Sequence, residues 1–267
     1  MNADPLFLVY ISRNTGGGIV MVEVKHLSLR YENFTAVADV SFQIEKQEIF
    51  GILGLNGAGK SSLIECMCGL RENFIGDVRI CGFNPITERE KINQIVGVQL
   101  QETTYPSKAK VKEICELFAS MYENSLDYRE LLKLMGLFEK RNAYIAKLSG
   151  GQKQKLSILL ALLPQPKVIF LDELTTGLDP KARREMWQII KELQKKGMTI
   201  VLISHFMDEV QVLCDRILIL EKGKTIASGT VSEVISCSGS EENATLEDAF
   251  LKLTTDDVAL EWGGYPL

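Results

Sequence analysis

The run Gly54-Leu55-Asn56-Gly57-Ala58-Gly59-Lys60-Ser61 constrains this chain more than any other feature. It fits GxxxxGK[ST], and both flanks agree with that pattern. Residues 48–53, apolar from Ile49 on, read as a strand feeding the run, and residues 60–68 read as a helix leaving it. Glycines at such a turn let successive backbone N–H groups point inward around phosphate oxygens. The helix start adds partial positive charge. Lys60 supplies a full charge for β- and γ-phosphates, and Ser61 offers a hydroxyl to Mg²⁺, which prefers hard oxygen ligands. Ser62 is the candidate for an α-phosphate oxygen. The candidate phosphate contacts are therefore Gly54, Asn56, Gly57, Ala58, Gly59, Lys60, Ser61 and Ser62. Alone, the motif implies a nucleoside triphosphate without choosing among kinases, GTPases and transport ATPases.

A second acidic motif narrows the chemistry. Val168-Ile169-Phe170-Leu171 is a fully apolar run, as in the buried strands of parallel sheets, and it ends in Asp172-Glu173. Ligands gather beyond the carboxyl ends of such strands. Asp172 is thus placed to hold Mg²⁺, and Glu173 to orient and polarise an attacking water.

Around these motifs, strands are predicted near 22–29, 40–44, 77–80, 95–98 and 199–203, with 77–80 and 95–98 taken as a pair. Helices are expected within 111–140, over 152–163 and over 183–195, and a hairpin over 217–228. Alternating strands and helices argue for a mostly parallel α/β sheet, interrupted by a helical block near 105–150. Residues 1–20 differ in character from the rest of the chain and are expected to be a mobile extension, or to precede a start at Met21. Residues 236–243 read as a polar linker to a short helix over 246–253, with a loose tail beyond it.

Composition excludes some partners. A net charge of −5 and a pI of about 5.3 do not suggest a general affinity for nucleic acid, and leave a local basic patch open. Its longest apolar runs, 5–11, 158–163 and 168–171, fall short of the roughly 20 residues a spanning helix needs. Work at a membrane would require another chain to cross it. The six cysteines form no CxxC pair and no zinc-like spacing, and reduced thiols are expected.

Leu148-Ser149-Gly150-Gly151-Gln152 lies about 20 residues before the acidic strand and opens a helix. Here the chain resembles the ATP-binding cassette (ABC) ATPases, whose signature is LSGGQ, and the resemblance covers about residues 21–235. It implies a P-loop ATPase core with a mostly parallel sheet, an antiparallel β subdomain and an inserted helical subdomain. It also implies roles for further residues. Tyr31 resembles the aromatic that stacks on adenine, with Phe34 as a competing candidate. Gln101 resembles the glutamine that contacts the metal and the catalytic water. Asp179, in Gly177-Leu178-Asp179-Pro180, resembles the D-loop aspartate, and His205 the switch histidine at the γ-phosphate. His26 is left as structural. Ser149, Gly150, Gly151 and Gln152 form a second anion-binding helix start, which in the family grips the nucleotide of the opposite subunit. The expected assembly is an isologous dimer sandwiching two ATP molecules, closed by ATP and opened by hydrolysis.

One departure stands out: Leu174 occupies a position where the family usually has proline, a change expected to alter loop stiffness and not chemistry. About 85 residues separate the P-loop and the signature, too few for the coiled-coil insertion of the DNA-repair branch. A single acidic cassette does not suit the two-cassette, basic translation-factor branch. Residues 98–103, 174–180 and 246–251 resemble exporter ATPases of the multidrug, antibiotic and polysaccharide type, although importers often share this plain cassette. The expected partners are separate membrane-spanning permease subunits, docked near residues 101–111 at the cytoplasmic face. The alternative is a non-transport ABC ATPase or a regulatory module acting on a soluble partner. A P-loop kinase would have no use for LSGGQ.

Overall fold

The computed structural model describes residues 18–100, 105–106, 108–239 and 244–254. Its centre is a six-stranded sheet in the order β5(Val96–Gln99), β6(Val168–Asp172), β7(Thr199–Ile203), β3(Ile49–Leu53), β8(Arg216–Glu221), β9(Lys224–Thr230). The pairs from β5 through β8 are parallel, and β8–β9 is an antiparallel hairpin. Strand alternation explains the apolar runs. On β6, Val168 and Phe170 enter one core while Ile169 and Leu171 enter another, and β7 divides Val201 and Ile203 from Ile200 and Leu202 in the same way. A strand buried on both faces has no polar face to show.

A smaller antiparallel sheet, β2(Phe34–Glu45), β1(Val20–Tyr31) and β4(Ile75–Ile80), packs on the first of these cores. The expected pairing of 77–80 with 95–98 is therefore corrected: β4 pairs with β1, and β5 pairs with β6. Two short apolar runs adjacent in sequence look like a hairpin, but α2(Arg89–Ile95) fills the space between them. The expected extension 1–20 lies outside the described residues as far as residue 17. Beyond it, Val20 opens β1, and the Ile19 carbonyl accepts from Lys46 N at 2.8 Å.

The helices are α1(Lys60–Met67), α2, α3(Val111–Ala119), α4(Tyr128–Leu134), α5(Gly150–Leu162), α6(Pro180–Lys195), α7(Met207–Leu213), α8(Val231–Cys237) and α9(Leu246–Thr254). Caps set several starts earlier than periodicity does. Ser149 and Gln152 form a reciprocal capping box that starts α5 at Gly150, and Asp179 caps α6 with Pro180 at its first position. A Thr230–Glu233 capping box starts α8, which carries helix to Cys237, into what was expected to be linker. Between α3 and α5, short 3₁₀ turns at Phe138–Lys140 and Ile145–Lys147 complete the helical block. All six cysteines are unpaired thiols. Among the described residues no helix is long and apolar enough to cross a membrane.

Candidate nucleotide site

The phosphate-binding turn leaves the end of β3 and is braced from two sides. Gly223, in the β8–β9 turn, donates its N–H to the Ala58 carbonyl at 3.0 Å, and its own carbonyl accepts from Ala38 N at 2.8 Å. Gly59 adopts φ +102, and a Cβ there would sit 2.2 Å from the Ala36 carbonyl oxygen. No other residue fits that position without moving β2.

Lys60 is buried, with Nζ donating to the Gly54 carbonyl at 2.7 Å and the Leu55 carbonyl at 3.1 Å. Burial holds its amine below the usual lysine range, while the carboxylates of Glu173 and Asp172 pull it back up. Asp172 closes β6 and is 7% exposed. Glu173 turns the chain in the left-handed region at φ 47, with its N–H donating to the Ile203 carbonyl at 2.9 Å. A non-glycine residue there is strained by on the order of 1 kcal/mol or more, a pattern concentrated at functional sites.

His205 follows β7, and its Nδ1 lies 3.1 Å from Glu173 Oε1. The contact is an ion-pair distance only, and Nδ1 is buried with no hydrogen-bond partner. Gly54, Lys60, Asp172, Glu173 and His205 are thus gathered at the carboxyl ends of β3, β6 and β7. Ser61 faces solvent beside them. Tyr31 joins from the small sheet, its hydroxyl 3.5 Å from Ser62 Oγ. Its ring stacks on Phe34 at 4.9 Å, so the two competing base platforms form one stack. Gln101 lies outside the described residues.

The signature residues form a separate group. Ser149, Gly150, Gly151, Gln152 and Asp179 line one cavity of about 320 Å³ together with Lys155, which is paired to Glu185 at 2.9 Å. Ser149 Oγ accepts from Gln152 N at 3.3 Å. That cap uses a lone pair and leaves the hydroxyl proton available to donate. No residue of the phosphate-binding turn lines this cavity. Leu174 is fully buried in the second core, so the loop after Glu173 is anchored by burial where a proline would stiffen it.

Sequence reasoning missed the contacts behind His205. Ser204, Phe206, Asp208 and Glu209 all bond to or pack against α6 or one another. Charged and aromatic residues at helical spacing were their only signal in the sequence.

The pattern that defines the family described as "ABC transporter" matches residues 37–176. The linearmycin resistance ATP-binding protein LnrL of Bacillus subtilis is 34% identical over 89% of this chain and 76% of its own. The probable multidrug ABC transporter ATP-binding protein YbhF of Escherichia coli is 33% identical over 90% of this chain, which spans only 42% of that protein's length. The methionine import ATP-binding protein MetN of Streptomyces coelicolor is 36% identical over 81% of this chain and 66% of its own. A solved ATP-binding subunit of an ABC transporter superposes with a TM-score of 0.80 and 30% identity, covering 88% of this chain and 99% of the other. The chain belongs to the ABC transporter family as one of its ATP-binding, ATP-hydrolysing cassettes.

Proposed function

We propose that this cassette drives a membrane exporter from the cytoplasmic face, working as one of a pair. The observation that carries the reading is the separation of two half-sites within one chain. One half is the phosphate-binding turn with Asp172, Glu173 and His205; the other is the Ser149–Gln152 helix start with Asp179. A head-to-tail second copy brings each signature tip to the other's phosphate-binding turn, so that γ-phosphate charge bridges the two chains. Glu173 then directs the water, His205 holds the γ-phosphate, and Tyr31 supports the base. For Gln101, outside the described residues, the role at water and metal is the one the family resemblance implies.

The donor set fits Mg²⁺. The Ser61 hydroxyl and the Asp172 carboxylate are hard oxygens beside the phosphate site and would hold the ion there. The ion's contribution there is to neutralise phosphate charge.

The partner segment has a candidate seat. A cavity of about 310 Å³ between β5 and the helical block is lined by Tyr105, Phe118, Met121 and Tyr122. Met121 is 58% exposed, consistent with an apolar segment of a permease subunit docking there. The resistance and multidrug names of two relatives favour export; the import protein among the matches keeps direction tied to the identity of that permease.

The test is sedimentation of Glu173→Gln with ATP and Mg²⁺, alone and with its membrane partner. A stable dimer is expected, and a nucleotide-loaded monomer under both conditions would overturn the reading. Copurification of a soluble protein and no integral membrane protein would favour the regulatory alternative.

A further inference from the structure

Helix α6 is fastened along one side to the segment that carries His205. Four α6 side chains, at 183, 187, 191 and 194, recur at spacings of four, four and three, which places them on one face. Each reaches a partner between residues 208 and 215. Arg183 Nη2 donates to both carboxylate oxygens of Asp208, at 2.9 and 2.8 Å. Trp187 Nε1 donates to Glu209 Oε1 at 2.9 Å. Lys191 Nζ donates to the Leu213 carbonyl at the end of α7, at 2.8 Å, and Gln194 Nε2 to Asp215 Oδ2 at 2.6 Å.

The upper two rungs reach the histidine. The Arg183 guanidinium lies 4.7 Å from the centre of the Phe206 ring, which in turn is 4.2 Å from the His205 ring. On the other side of the loop, fully buried Glu209 accepts from Ser204 Oγ at 2.7 Å, and that same oxygen accepts from Phe206 N at 3.0 Å. His205 is therefore flanked by two residues that are both tied to α6. The N-terminal end of α6 is Asp179, which lines the signature cavity.

We propose that Arg183 is a positioning residue for His205: by clamping Asp208 and stacking on Phe206 it fixes the histidine relative to α6 and its Asp179 cap. This rests on the reading of His205 as the γ-phosphate contact. Arginine suits the task because a planar guanidinium stacks and donates at once, which an ammonium does not. The clamp couples the two half-sites of one chain, since a shift of the Asp179 end of α6 carries the histidine loop with it.

Steady-state ATPase assays of Arg183→Ala, His205→Ala and the double variant, each with a melting curve, test the proposal. Arg183→Ala is expected to lower kcat about tenfold, with KM for ATP within about twofold of the parent. In the His205→Ala background the same change is expected to add less than about a twofold loss, because the group it positions is gone. Arg183→Lys, which keeps the charge and stem, is expected to fall between and serves if the alanine variant does not fold. Losses that multiply in the double variant, or full kcat in Arg183→Ala beside a loss in His205→Ala, would overturn the proposal alone. Full turnover in His205→Ala would overturn the role of the histidine, and the proposal with it.

Discussion

Glu173 Oε1 and His205 Nδ1 face each other across 3.1 Å, each just beyond the end of one of two hydrogen-bonded parallel strands. The register that pairs Asp172 with Ile203 sets this approach, and Glu173 continues the ladder by donating to the Ile203 carbonyl. Backbone pairing thus brings together a carboxylate and an imidazole far apart in sequence.

Replacing Glu173 by glutamine keeps the side chain's shape but removes the carboxylate proposed as the base. A general base contributes about a hundredfold or more, so kcat for ATP hydrolysis is expected to fall by at least that factor. Fluorescent-nucleotide titration is expected to show affinity retained. Parent-like turnover in this variant would remove Glu173 from the chemistry.

Lys60→Ala deletes the buried ammonium that the turn holds against the Gly54 carbonyl. Hydrogen bonds to charged groups contribute about 1.5–3 kcal/mol, so ATP is expected to bind roughly ten- to a hundredfold more weakly. Isothermal titration reads this directly, and an unaltered Kd would contradict the assignment.

Ser149→Ala separates two roles. Loss of the α5 cap is expected to cost about 1 kcal/mol, a shift of a few degrees in Tm. Loss of a donor to the partner's γ-phosphate is expected to lower turnover by about tenfold or more at temperatures where the variant stays folded. A melting shift with normal turnover would leave the serine with its capping role alone.

Glu48 gives a pH dependence remote from the site. It is 7% exposed, and burial raises its carboxyl above the usual value of 4.5 against the opposing pull of the Glu45 N–H and Arg216. Between 4.5 and the raised value the folded chain holds a proton that the unfolded chain has released, so this contribution to stability is present below 4.5 and fades as pH rises. Glu48→Gln keeps an acceptor for Glu45 N without the titration. The Tm of this variant minus that of the parent is expected to rise as pH increases from 4.5 and to level off above the raised value. A constant difference across that range would refute the linkage.

Local chemistry was the legible part of the sequence. The turn at 54–61, the apolar strand before Asp172 and the signature each pair a composition with an unmistakable spacing, and the core strands fall where periodicity placed them. Long-range pairing was not legible. Nothing near Asp77 states that β4 pairs with β1, a contact decided by closure of the small sheet. Caps were under-read as well: Ser149 and Asp179 start helices earlier than the apolar pattern does, and the Thr230 cap opens a helix that pattern did not show, because a cap satisfies N–H groups before any side chain needs burying. The rungs between α6 and residues 208–215 were not legible either, because helical spacing marks a face of α6 without naming the residues it meets.

The strand order has a consequence for how the phosphate end of this machine varies. The turn after β3, His205 after β7 and the carboxylates after β6 stand abreast on three neighbouring strands. Their separation is two steps of the sheet, each about 4.8 Å, and is fixed by peptide hydrogen bonds. The sheet acts as a ruler that side-chain substitution does not rescale. The groove beside Met121 lies off these three strand ends, so substitutions there leave that gauge unaltered.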